Sequence, residues 1–271
     1  SVFYFYIPIL VPAVTVVFVV GNVGVGQGAG QGIAVHQRVQ GQGLHGGGAA
    51  FLPNGFGGQT LVVLHPADQL QILLIYGADP IKSGEIRIKG ASAVTGSPRR
   101  SIAFGLGLIP EDRKTEGLFL IQSVGFNIMS ASLARIMRRG LLALRLEKDI
   151  VDGLIDRLRI KTPGAATAAQ NLSGGNQQKC VLARLVSAGC EIMLADEPTR
   201  GVDVAAKREI YDLLVELAEA RGLAIVMASS ELPEILGLCD RVYVMREGEV
   251  TAEFNACATT EEEVMHFAAL H

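Results

Sequence analysis

Two short apolar runs, Glu191–Ala195 and Leu223–Ala228, flank a stretch with a helical repeat, Val204–Arg221. This arrangement constrains the fold more than any other feature. Runs that are apolar at nearly every position suit strands buried on both faces. In the intervening stretch Ile210, Leu213, Leu214 and Leu217 fall on one face of a helix. The same alternation continues outward. Ile102–Ile109 reads as a strand, Glu231–Leu238 as a short helix, Arg241–Met245 as a strand and Thr260–Leu270 as a closing helix. Upstream, Ile72–Tyr76 is an apolar run ending at Gly77-Ala78-Asp79-Pro80, a helix stop followed by a turn. Glu85–Lys89 alternates polar and apolar residues, as an edge strand would. Strands alternating with helices predict an α/β fold with a mainly parallel sheet. Between Val124 and Ala169 the order is instead helix after helix, over Val124–Arg139 and Leu141–Arg159. A further helix is expected over Gly174–Ala188. This order predicts a helical subdomain over about 122–175, inserted beside the sheet.

Composition narrows the class. The chain has 271 residues, 49% hydrophobic and 19% charged, with a net charge of −3. It therefore lacks the basic footprint of a nucleic-acid binder. Cys180, Cys190, Cys239 and Cys257 show no spacing of a zinc or redox motif, and reduced thiols in a cytosolic protein are expected.

The start of the chain does not share this balance. Arg38 is the sole formally charged side chain between Ser1 and Ala67. Ser1–Val20 is nearly continuous apolar sequence, long enough to span a bilayer. Pro8, Pro12 and many Val, Tyr and Phe residues favour strand instead. Gly21–Gly58 is rich in Gly and Gln and reads as low complexity. Three readings stay open for residues 1–69: a membrane anchor, a strand-rich lead-in, or a segment unrelated to the rest of the chain, such as the product of a shifted reading frame. The abrupt change of composition favours the last. The domain itself is expected over 70–271.

Two segments carry chemistry. In Leu172-Ser173-Gly174-Gly175-Asn176-Gln177-Gln178, a serine and two glycines precede a helix. Glycines let backbone N–H groups approach a phosphate, the serine hydroxyl can donate to it, and the helix start favours an anion. An ordinary helix cap without a ligand is the plain alternative. In Ile192–Thr199, a buried strand delivers Asp196 and Glu197 at its carboxyl end, where open α/β sheets bind ligands. Neighbouring strand residues point to opposite faces, so the two acids are expected to have different jobs. Asp196 suits Mg²⁺, usually through water, and Glu197 suits the base that orients an attacking water. A solvated acidic loop is the plain alternative.

Taken together, these segments resemble the ABC ATPase family, in the order signature segment, helix, Walker B strand and D-loop with Asp203. Tyr76–Pro80, Pro110–Lys114, Asn171–Gln178, Asp196–Val204 and Ser229–Glu234 resemble the second, carboxy-terminal ATPase half of ribose, xylose and galactose importers. The resemblance runs from about Leu70 to the end. It implies an ATPase domain that binds ATP and Mg²⁺ and pairs with a second ATPase half. It also implies a peripheral position on the cytoplasmic face of the bacterial inner membrane, held by a sugar permease. By the same resemblance Ser173, Gly174, Gly175, Asn176 and Gln177 contact the partner's ATP. Glu111 stands in place of the Q-loop glutamine, and Ser230 in place of the switch histidine. Glu111–Lys114 is then either a coupling loop that touches the permease or a solvated charged turn, and the resemblance favours coupling.

Besides Glu111 and Ser230, the sequence departs from the family at its phosphate-binding loop. A Walker A loop needs G-x-x-x-x-G-K-[ST]. The nearest string, Pro53–Thr60, has Gln59 in place of the lysine and Pro53 in place of the first glycine. This half is therefore expected to have a weak site of its own while lending its signature segment to its partner. A non-transport ABC ATPase and a non-catalytic module that only dimerises are the rival functions.

Overall fold

The computed structural model describes residues 14–20, 33–36, 71–80, 85–88, 91–93, 96–138, 141–229, 231–246 and 249–269. Two strands come first, β1 (Val14–Val20) and β2 (Ile33–His36). Helix α1 (Gln71–Tyr76), strands β3 (Glu85–Ile88) and β4 (Ala91–Ser92), helix α2 (Pro98–Ala103) and strand β5 (Leu106–Ile109) come next. A π-helical turn over Arg113–Gly117 leads into α3 (Val124–Met129) and α4 (Leu133–Ile136). A small hairpin, β6 (Met137–Arg138) and β7 (Leu141–Leu142), precedes α5 (Leu144–Arg157). The remainder is α6 (Gly174–Ala188), β8 (Ile192–Asp196), α7 (Val204–Arg221), β9 (Ala224–Ala228), α8 (Leu232–Leu238), β10 (Arg241–Arg246), β11 (Glu249–Asn255) and α9 (Glu261–Ala269).

The main sheet has the order β11-β10-β1-β9-β8-β5. Strands β5, β8 and β9 are mutually parallel, with Leu108 beside Leu194 and Leu194 beside Val226. Strand β1 lies antiparallel to both of its neighbours, β9 and β10. No helix among the described residues is long and apolar enough to cross a membrane.

Strands β8 and β9 are buried at every position. Their residues alternate between two cores, as the pleat requires. Met193, Ala195, Ile225 and Met227 join α6 and α7 in the larger core, with Ile210, Leu213, Leu214 and Leu217. Ile192, Leu194, Ala224 and Val226 pack on the other side against Ile72 and Ile75 of α1 and Ile86 and Ile88 of β3.

Several sequence expectations need correction. Glu85–Ile88 is the middle strand of a sheet ordered β2-β3-β4, not an edge. The strand expected over Ile102–Ile109 starts only at Leu106. Ser97 accepts from the Arg100 N–H and Pro98 opens a helix, so Ile102 is helical and 53% exposed. The helix expected over Val124–Arg139 is split into α3 and α4 and stops at the hairpin, and the one expected over Leu141–Arg159 starts only at Leu144. The strand Glu249–Asn255 was not anticipated from the sequence. In contrast, α6 and α7 begin and end where the pattern places them, each closed by a left-handed glycine, Gly189 and Gly222.

Candidate functional site

Asp196 ends β8 beside Ala228, at the carboxyl edge of the parallel strands. Glu197 leaves the strand with a left-handed φ of +47°. Its N–H donates to the Ala228 carbonyl at 2.8 Å, and its own carbonyl accepts from Arg200 N–H at 3.1 Å. A left-handed residue other than glycine stores strain, and such strain gathers at functional sites. Both acids are buried, at 2% and 7% exposure. Strand alternation is not what separates them, because the strand has already ended at Asp196. The turn at Glu197 does that instead.

A buried carboxylate ties this turn to the end of the neighbouring strand. Glu234, on α8, accepts from Thr199 Oγ1 at 2.8 Å and from Ser229 Oγ at 3.0 Å. Tyr211 donates to it as well, and Lys207 Nζ lies 3.3 Å away. Burial and the Glu234 carboxylate push the Tyr211 phenol well above its usual range. Burial pulls the Lys207 ammonium down, but bonds to Glu231 and Glu234 leave it raised overall. This network was missed from sequence. Glu234 falls in a segment already singled out, but its partners Thr199 and Tyr211 lie 35 and 23 residues away.

The glycine turn sits at the head of α6. Ser173 occupies the N-cap position with extended backbone, yet its side chain makes no capping bond. Its hydroxyl accepts instead from Asn176 Nδ2 at 2.9 Å. Asn176 Oδ1 in turn accepts from Lys161 N–H at 2.8 Å. The first-turn N–H groups of α6, which have no partners within the helix, therefore receive no side-chain cap. Ser173 is exposed. Gln177 is buried, and its amide donates to the Ala169 carbonyl at 3.2 Å. It therefore supports the turn from within rather than facing outward beside Ser173.

Close packing explains both glycines. A Cβ on Gly175 would stand 2.4 Å from the Ala206 Cβ. One on Gly174 would stand 2.7 Å from Arg113 Nη2 and 2.9 Å from the Gly201 carbonyl. The structure thus brings the glycine turn against the loop that comes after Asp196 and Glu197. Asp203, in that loop, caps α7 by accepting from Ala206 N–H at 3.0 Å.

Glu111 pairs with Arg200. Asp112 is held below the usual carboxylate range by the Lys114 backbone N–H and the Thr115 hydroxyl. Arg113, two residues after Glu111, is buried and donates to the carbonyls of Arg200 at 2.5 Å and Gly201 at 2.9 Å. Burial draws its guanidinium below the usual arginine range. Its neighbours Asp112 and Lys114 are exposed, as a solvated turn would have them, but Arg113 is not. Ser230 and the Pro53–Thr60 string lie outside the described residues.

Among the described residues, no three His, Cys, Asp or Glu side chains gather to hold a metal by themselves. Mg²⁺ is usually held by one or two carboxylates, water and substrate phosphates. Asp196, at the carboxyl edge of the parallel strands, supplies one carboxylate of that kind. Elsewhere, a groove of about 370 Å³ is lined by Ile102, Phe119, Phe126 and Leu133, with Arg184 among them. All four of these apolar side chains are open, with Ile102 at 53%, Phe119 at 54%, Phe126 at 43% and Leu133 at 41% exposure.

The family described as ABC transporter matches residues 71–200. The chain is 48% identical over 194 residues to the ribose import ATP-binding protein RbsA of Bacillus licheniformis, covering 72% of this chain and 39% of that protein. It is 47% identical over 195 residues to a putative ribose/galactose/methyl galactoside import ATP-binding protein of Burkholderia ambifaria, covering 72% and 38%. The chain thus spans about two fifths of the length of the curated relatives it matches. Among solved structures, a dimeric ATP-binding cassette in a post-hydrolysis state with ADP and Pi superposes with a TM-score of 0.57 at 20% identity, over 68% of this chain and 78% of that one. The cbiO1 structure from Clostridium perfringens gives 0.59 at 24%, over 71% and 74%. Likeness at these identities speaks for the fold.

Proposed function

Because the chain carries an ABC transporter ATPase domain, we propose that it helps to power sugar import through a membrane permease, its Ser173–Gly175 turn completing the ATP site of a second ATPase half. The observation that carries this reading is the uncapped head of α6. Ser173 is exposed, makes no capping bond, and leads into two glycines seated against Arg113 and Ala206. Such a turn offers backbone N–H groups and a hydroxyl to a terminal phosphate presented from outside. It acts in trans, as an arginine finger does, by stabilising charge that develops on the transferred phosphoryl group.

Within this half, Glu197 would take the proton of the attacking water or orient it, and Asp196 would hold Mg²⁺ through water. The ion, when bound, neutralises charge on the phosphates. Asp203 would lie in the loop that meets the second half, and Glu111, in the Q-loop position, would open the loop that couples to the permease. The missing Walker A lysine and the serine at position 230 make this half's own site the weaker of the pair. The proposed seat is the cytoplasmic face of the bacterial inner membrane. Sugar import by the relatives of Bacillus and Burkholderia supports the substrate class. The open apolar groove around Phe119 and Phe126 is the proposed seat of the permease, with Arg184 ready to meet a carboxylate or a helix C-terminus.

Ser173→Arg in the full-length protein, assembled with its permease, tests this. A bulky cation at the turn should lower ATP turnover about 100-fold, the scale of losing an oxyanion donor. Glu197→Gln should remove a smaller share. Unchanged turnover in both variants would contradict the reading and favour a non-catalytic dimerisation module.

A further inference from the structure

We propose that Arg113 is the positioning residue that holds the Ser173–Gly175 turn in register with the loop Arg200–Asp203. The inference rests on the reading of that turn as a grip for the partner's phosphate. Three segments distant in sequence meet at this one guanidinium. Its two terminal nitrogens donate to consecutive carbonyls, Arg200 and Gly201, 87 and 88 residues along the chain. Its Nη2 also fills the space a side chain on Gly174 would need, 2.7 Å from the Cβ position. Glu111, two residues before Arg113, pairs with the Arg200 side chain.

The base of the arginine is wedged too. The Cβ position of Gly117 lies 3.1 Å from the Arg113 Cβ and 3.4 Å from Val181 of α6. A π-helical turn, a rare conformation that recurs at functional sites, presents the side chain. Arg113 Nε is buried with no acceptor among the described residues. The planar fork itself is spent on the two carbonyls. Lysine has one ammonium and cannot span both carbonyls in the fixed planar way a guanidinium does. Without the fork, the Gly201 carbonyl and the Gly174 backbone are free to part, and a shift of about 1 Å in a catalytic group lowers rate on the order of 100-fold.

The test uses the full-length protein in its assembled transporter, with Arg113→Lys and Arg113→Gln made separately and Ser173→Arg made in parallel. Turnover, KM for MgATP and melting temperature are measured for each. The expected result is a loss of kcat of about ten-fold or more. KM should stay within about two-fold, because the turn engages ATP already held by the other half. Melting temperature should stay within a few degrees of the parent. Unchanged kcat in both Arg113 variants, while Ser173→Arg abolishes turnover, overturns the Arg113 assignment alone. Equal collapse of kcat, KM and melting temperature in both variants reduces Arg113 to a structural residue and also overturns it. If Ser173→Arg leaves turnover intact, the phosphate-grip reading falls, and the Arg113 assignment falls with it.

Discussion

Lys179 is 1% exposed on α6, and its ammonium is satisfied by the Arg159 carbonyl at 3.0 Å and by Glu209 on α7. Bonds from Lys179 and then Lys161 hold the Glu209 carboxyl below the usual range. A carboxyl whose folded pKa is depressed stabilises the fold above its unfolded value, about 4.3, and loses that contribution as pH falls through the folded value. Denaturant midpoints should therefore drop below about pH 4 in the parent protein. Glu209→Gln should be less stable at pH 7, with a flatter acid limb. The cost should be about 1–2 kcal/mol, below the roughly 3–5 of a fully buried pair, because Glu209 is 37% exposed and water screens it. A parent and variant with the same acid limb would contradict this. Ser173, Asp196 and Glu197 were legible in the sequence because their residue types sit at fixed offsets from a strand end or a helix start. Arg113 and Lys179 were not. Their partners lie 87 and 30 residues away, and nothing local announces the contact.

Between elements, α6 and α7 meet where Gly175 faces Ala206 with no room for a methyl group. Gly175→Ala must push α7 away or tilt the head of α6. Overpacking of this kind costs about 1–3 kcal/mol. The melting temperature should fall, and the additional substitution Ala206→Gly should restore much of it. Failure of that rescue would mean that the contact does not limit packing. These two helices were readable because each carries its own start and stop, Asp203 and Gly222 on α7 and a serine–glycine head and Gly189 on α6. At Met137–Leu142 the sequence marks a break, Gly140, but not what forms on either side of it. The flanking apolar and basic residues fit helix ends by periodicity alone, and only the pairing of Met137 with Leu142 and Arg138 with Leu141 decides for strands. Ile102 was likewise assigned to a strand on hydrophobicity. The cap at Ser97 and the proline after it overrule that.

For the whole molecule, a parallel trio β5, β8 and β9 supplies the edge at which Asp196 and Glu197 stand, and the helices packed on it carry the glycine turn to the surface. The α/β class was readable because buried strands and amphipathic helices have different periods. The antiparallel placement of Val14–Val20 between β9 and β10 was not, since an apolar run does not encode its direction. The exposed turn is the part of the proposed function that a second ATPase half would complete. The most direct measurement is a structure of the full-length protein assembled with its permease and trapped with a non-hydrolysable ATP analogue. The account predicts the Ser173 hydroxyl and the N–H groups of Gly174 and Gly175 within about 3 Å of a terminal phosphate bound by the opposing half. A terminal phosphate enclosed without them, with Ser173 in open water, would contradict it.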